Sequence, residues 1–253
     1  MAKICLDAGH YGKYNQSPAN KAYYEAEMNW KLHNLLKKYL VQKGFEVIQT
    51  RSNQAADLEL TARGKKAKGC DLFLSIHSNA VGSGVREDID YPVAYVMMQD
   101  GSAATTYDKI SQELGLKLAQ TVGEVMGCKQ SARVATRSLG SDRDGDGRLD
   151  ADDEYYGVLY GARSVKVPGF ILEHSFHTNT KMTNWLLSDS NLEKMAKAEA
   201  DVIAAYFGMK KNADVLYRVQ VGAYSVKANA EAMLAKLKKA GFDGFITTAK
   251  TQK

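Results

Sequence analysis

The sequence predicts an α/β protein: a mostly parallel twisted sheet with helices on both faces, plus a short C-terminal strand–helix–strand segment. Three observations predict it. Over the first 210 residues, apolar runs of strand length alternate with segments of helical periodicity. The strand-like runs are apolar throughout rather than at every second position, as expected of strands covered on both faces. The chain has 253 residues, 45% of them apolar, which suffices for one core and a small appended module.

The elements follow in order. KICL (3–6) is a buried strand running into DAGH (7–10). Residues 25–42 carry Met28, Leu32, Leu35, Leu36 and Tyr39 at steps of three and four, which predicts a helix closed by Gly44. FEVIQT (45–50), DLFLSI (71–76) and AYVMM (94–98) read as strands, and residues 107–127 as a second amphipathic helix ending near Gly127. Pro168 introduces a buried strand at 169–173, and a last helix of this part runs over about 191–206. A boundary falls near 208–213, giving a first domain over 1–208, a linker at 209–214 and a C-terminal segment at 215–253. That segment reads as a strand at 216–222, a helix at 228–240 and a strand at 244–247.

Three predicted strands end in residues able to handle a metal or a proton: His10, His77 and Glu173. In an open parallel sheet the ligand site lies beyond the carboxyl ends of the strands, so these three are expected to converge. A catalytic zinc takes three protein ligands and keeps a fourth position open. With two histidines counted, the third ligand comes from Glu25 or Glu27 at the start of the first helix. Glu25 aligns with Asn29, Leu32 and Leu36 on the buried stripe, whereas Glu27 aligns with Lys31, Asn34 and Lys38 on the polar one. Glu25 is therefore the expected ligand, and Glu173 is left as a carboxylate beside the metal. A carboxylate in an apolar strand is costly unless paired or metal-bound, which supports the same placement. His174 and His177 are read as structural or surface residues, and His33 as an exposed helix residue.

DAGH, Glu25-x-x-x-Asn29, TR (50–51), LTAR (60–63), SIHSNA (75–80) and VPGFILEHSFHTN (167–179) occur in that order. Together they resemble the zinc-dependent N-acetylmuramoyl-L-alanine amidases of the Amidase_3 type, found in bacterial autolysins and phage endolysins, over about residues 2–208. The resemblance implies zinc ligands at His10, Glu25 and His77 and a catalytic glutamate at Glu173. It implies hydrolysis of the amide between N-acetylmuramic acid and the L-alanine of the peptidoglycan stem peptide. Many relatives carry Leu-Gly-Phe after the catalytic glutamate, where this chain has His174, Ser175 and Phe176. The rival from another class is a catalytically silent peptidoglycan-binding or regulatory protein on the same fold.

YRVQVGAYSVKANAEAMLAKLKKAGFDGFI (217–246) resembles the first half of a SPOR domain, which implies binding to glycan strands stripped of stem peptides. The formal net charge of +5 is concentrated there: residues 212–253 carry +4 and the rest about +1. A basic tail suits an anionic polymer such as cell wall. Residues 141–154, SDRDGDGRLDADDE, place Asp142, Asp144 and Asp146 at positions 1, 3 and 5 of an EF-hand-like loop, with Gly147 at the turn. Arg148 would offer its backbone carbonyl and Asp153 the twelfth position, so a structural calcium ion is expected, and a calcium-dependent adhesion or scaffold protein is a second rival.

Three widely spaced cysteines, Cys5, Cys70 and Cys128, exclude a disulfide framework and read as buried apolar residues. No apolar run approaches the ~20 residues of a membrane span. No nucleic acid and no stable membrane insertion are expected. No classical signal peptide is read at the N-terminus, so the expectation is action on the bacterial cell wall after release from the cytoplasm in the manner of an endolysin, or export by another route.

Overall fold

The computed structural model describes residues 1–82, 84–99, 105–143, 145–209 and 219–248. Six strands form one sheet: β1 (Lys3–Ala8), β2 (Glu46–Gln49), β3 (Leu72–Asn79), β4 (Val93–Val96), β5 (Arg133–Ala135) and β6 (Gly169–Phe176). Their order is β2-β1-β3-β6-β4-β5. β2, β1, β3 and β6 run parallel, β4 is antiparallel to β6, and β5 is parallel to β4. The mostly parallel sheet expected from the sequence is therefore present, with two reversed strands at one edge.

The helices are α1 (Glu25–Gln42), α2 (Leu60–Lys65), α3 (Thr106–Met126), α4 (Gly157–Ser164), α5 (Thr180–Leu186), α6 (Asp189–Tyr206) and α7 (Lys227–Lys239). Alternate strand residues serve opposite cores. Ile4, Leu6, Leu72, Leu74, Ile76, Phe170 and Leu172 pack with α1, α3 and α6. Cys5, Phe73 and Ile171 pack with Val158, Leu159 and Ala162 of α4. Two covered faces explain why these strands show no period of two in the sequence.

The chain divides into two compact units, Met1–Lys211 and Asn212–Lys253. In the second, α7 stands where a helix is expected, and none of its residues is buried. The described residues of the two expected flanking strands, 219–222 and 244–247, form no ladder. One amphipathic helix offers them too little apolar surface to pack on. Residues 216–218, and all of the expected linker beyond 209, lie outside the described residues. No described helix is long and apolar enough to cross a membrane.

Candidate active site

The sheet places two site residues side by side. In the β3–β6 register His77 is the direct partner of Glu173. Both leave the sheet on the face shared with Phe73 and Ile171, two periods of two away along β3 and one along β6. Neither lies at a strand end as expected, because β3 and β6 continue pairing past them through a bulge between His77 and Asn79. Within that bulge Ser175 adopts φ +58°, and its Oγ donates to the Asp90 carbonyl at 2.9 Å.

His10 arrives by a turn rather than a strand. β1 stops at Ala8, and His10 sits two residues on with φ +58°. A left-handed backbone costs a non-glycine residue about 1–2 kcal/mol, and such strain concentrates at functional sites. Between them, a Cβ on Gly9 would lie 2.2 Å from His77 Cε1. Only glycine leaves room for that ring over the turn.

Glu25, the first residue of α1, is 2% exposed, as its place on the buried stripe predicts, while Glu27 is partly exposed and faces Lys13. Glu25 Oε2 lies 3.2 Å from His10 Nε2, and Oε1 lies 2.9 Å from His77 Nδ1. Asn15 Nδ2 donates to Oε2 at 2.7 Å, and the Ser78 N–H donates to Oε1 at 3.0 Å. Burial opposes ionisation of this carboxyl, yet the hydrogen bonds and charges of the two imidazoles hold it well below the usual carboxylate range. One donor atom from each of His10, Glu25 and His77 lies within 4.8 Å of the others. Two imidazoles and a carboxylate are a donor set that suits zinc.

Glu173 is 8% exposed, and its Oε2 is buried without a hydrogen-bond partner among the described residues. Burial, and then the charge of Glu25, push its carboxyl well above the usual range. A buried carboxylate oxygen left unpaired near three metal-competent donors fits a site completed by a cation. All four residues line one cavity of about 430 Å³, which Arg137 and His177 also border.

The other histidines are buried. His177 Nδ1 lies 2.9 Å from both Oγ and the carbonyl of Ser78, and its ring stacks on Tyr23. His174, 0% exposed, points to the opposite face, where its ring bonds the His77 carbonyl at 2.9 Å and Glu199 at 2.6 Å. His33 differs from the expectation of an exposed residue: it is 1% exposed and faces Gln49 at 2.9 Å, because α1 packs that flank against the β2 edge. Burial lowers the pKa of its ring to about 4.

Sequence reasoning overlooked the support beneath the site. Asp7 is wholly buried, accepting from Arg63 Nε at 2.9 Å, Arg63 Nη2 at 2.7 Å and Ser75 Oγ at 2.7 Å, with Thr50 Oγ1 as a further donor. Arg63 Nη2 also donates to the Ala8 carbonyl at 2.7 Å. Asp7 thereby ties β1, β3, α2 and the residue that follows β2 together, three residues before His10 in the chain. The signal was present, an acid inside an apolar strand followed by the cations of TR and LTAR, but spacing alone does not say which cation reaches it.

The acidic loop closes upon itself. Asp142 accepts from Gly145 N at 2.6 Å and Gly147 N at 2.7 Å, and Asp146 from Arg148 N at 2.8 Å. Asp153, 0% exposed, accepts from Arg143 N at 2.5 Å and Asp150 N at 3.2 Å. Among the described residues these carboxylates do not gather into a metal-competent group as His10, Glu25 and His77 do, and calcium finds no support there; Asp144 lies outside the described residues. The described aspartates are turned to the loop's own backbone N–H groups, which is what holds its shape.

Comparison with known proteins follows the same lines. Residues 4–205 match the family model described as N-acetylmuramoyl-L-alanine amidase, and residues 192–253 match the SPOR domain. The N-acetylmuramoyl-L-alanine amidase CwlM of Bacillus licheniformis is 29% identical over 249 residues, spanning 97% of this chain and 85% of the relative. The sporulation-specific N-acetylmuramoyl-L-alanine amidase of Bacillus subtilis (strain 168) is 27% identical over 250 residues, spanning 97% of this chain and 84% of the relative. Among solved structures, the catalytic domain of CwlV from Bacillus (Paenibacillus) polymyxa superposes with a TM-score of 0.60 at 22% identity, covering 83% of this chain and 100% of that one. An amidase structure from Clostridium difficile 630 gives 0.63 at 19% identity, covering 83% and 98%. These structural likenesses concern the fold.

Proposed function

The chain belongs to the N-acetylmuramoyl-L-alanine amidase family, and from that premise we propose that it hydrolyses the amide between N-acetylmuramic acid and the L-alanine of the stem peptide with the help of zinc. The observation that carries this reading is the convergence of His10, Glu25 and His77 in one cavity with Glu173. In the proposal the first three hold zinc, which when bound supplies a Lewis acid that polarises a carbonyl and acidifies water. Glu173 takes a proton from the attacking water at its free Oε2 and hands it to the departing amine nitrogen. A carboxyl with a raised proton affinity suits both halves of that transfer. Asn15 and the Ser78 N–H orient Glu25, so that its two oxygens face the two imidazoles.

The proposal extends to the tail. The SPOR match and its positive charge support retention on glycan strands, with the boundary at 209–214 and wall-directed action as the working division.

The experiment is hydrolysis of purified peptidoglycan, read as released stem peptides bearing a new L-alanine amino terminus. Activity is expected to vanish on chelation and to return with zinc. Glu173→Gln is expected to lower turnover by about 10² to 10⁴ while leaving zinc bound. Normal turnover by Glu173→Gln would refute the role given to that residue, and activity indifferent to chelation would refute the zinc site.

A further inference from the structure

The cavity has a second wall, and it carries a charge that the hydrolytic group does not use. Arg137 Cζ lies 3.7 Å over the Tyr155 ring. Tyr156 borders the cavity beside it, and its hydroxyl helps hold the Arg137 pKa above the ordinary value. Arg137, Tyr155 and Tyr156 all border the cavity. This wall is built and not incidental. Tyr155 N donates to the Arg137 carbonyl at 3.0 Å, Leu139 N donates to the Asp153 carbonyl at 2.8 Å, and Ser138 bridges Glu154. The acidic loop connects the two segments of that bridge, and Asp153 accepts from Arg143 N and Asp150 N within it.

The charges around the cavity leave Arg137 distinct. Arg63, the other arginine of the lining, is committed to the buried Asp7. Of the acids of the lining, Glu25 faces His10 and His77, while Glu173 is buried, and neither forms an ion pair with Arg137 among the described residues. Among the described residues Arg137 forms no ion pair. A guanidinium whose face is occupied by an aromatic ring presents its N–H edge, and that edge matches the two oxygens of a carboxylate.

We propose that Arg137 is a specificity residue that receives a free carboxylate of the substrate's peptide, borne by the residue next to the L-alanine. The proposal rests on the amidase reading and adds which stem peptides are preferred: acidic ones over those in which this carboxylate is amidated. A carboxyl-to-guanidinium hydrogen bond is worth about tenfold or more in affinity at a partly exposed site. Tyr155 and Tyr156 set the guanidinium's position, which lowers the ordering cost of that contact.

The test uses two synthetic muramoyl tripeptides that differ only in a carboxylate or a carboxamide on the second residue. Full-length wild-type protein is expected to favour the carboxylate probe about tenfold in kcat/KM, mainly through KM. Arg137→Gln is expected to erase that preference by losing about tenfold on the acidic probe and less than about twofold on the amidated one, with zinc content unchanged. Arg137→Lys keeps the charge without the fork and is expected to fall between the two. Equal cleavage of both probes by the wild type, or equal losses on both in Arg137→Gln, would overturn the inference and leave the amidase reading standing. Cleavage of neither probe would overturn the amidase reading and this one with it.

Discussion

At Gly9 one hydrogen decides whether two site residues coexist. The chain turns from β1 to His10 there, and the His77 ring occupies the volume a Cβ would need. Gly9→Ala is therefore expected to displace His77 and to weaken zinc binding by about 10- to 100-fold, the range seen when a ligand loses its orientation. Competition with a chromogenic chelator measures this, and unchanged affinity would refute the steric argument. Helical phase sufficed at Glu25, because the stripe containing Leu32 and Leu36 is also the buried one. His33 lies four residues beyond the buried Asn29 and three before the buried Leu36, so the same phase places it on the buried side. Asn15 and Arg137 were not legible, because both act from loops, where no period relates position in sequence to direction in space.

At the scale of elements, α2 and α4 went unpredicted although α4 covers the second core and α2 packs against α4. Six and eight residues are too few to show a clear amphipathic period. What specifies their packing is small size: a Cβ on Gly161 would lie 2.3 Å from the Thr61 carbonyl, and one on Gly64 would lie 2.0 Å from the Val158 carbonyl. Gly161→Ala is expected to destabilise the protein by about 1–3 kcal/mol, despite alanine's better helix propensity, since backbone and not a side chain must yield. Gly123→Ala in α3 is the control. Its Cβ would meet only the Pro92 ring at 3.4 Å, so stability should hold or rise slightly. Urea unfolding of the two variants compares them directly, and equal midpoints would refute the crossing argument. The longer elements were readable within a few residues, α1 at both ends, because eighteen residues repeat the pattern several times.

At the scale of the molecule, the Asp7–Arg63 pair joins β1, β3, α2 and Thr50 at the end of β2. Burial works against the ionised carboxyl, but the Arg63 charge and three donors outweigh it and lower the pKa of Asp7 below its ordinary value. A depressed carboxylate contributes stability that is present above its unfolded pKa of about 3.9 and is lost as pH falls through the lower folded value. Stability is thus expected to drop as pH falls below about 4. Asp7→Asn is expected to cost about 3 kcal/mol at neutral pH and to make that acid-side decline shallower. Unfolding measured from pH 3 to 7 checks both, and an undiminished slope in the variant would refute the pair's part in it.

The sequence by itself determined the layered α/β class, pointed to the four residues that converge in one cavity, and placed Glu25 rather than Glu27 on the buried stripe. Each follows from a local regularity: apolar runs, strand-to-loop transitions and helical phase. Only the tertiary structure decided that His77 and Glu173 are register partners, that Asp7 meets Arg63, and that the segment of Arg137 bridges that of Tyr155. Those are contacts between segments 56 to 96 residues apart for the first two pairs. They arise from strand order and register, which no local pattern encodes. The acidic loop shows the difference most plainly. Its spacing suggested a cation site; among the described residues, Asp142 and Asp153 accept hydrogen bonds from backbone N–H groups of the loop itself, a contact the spacing did not show.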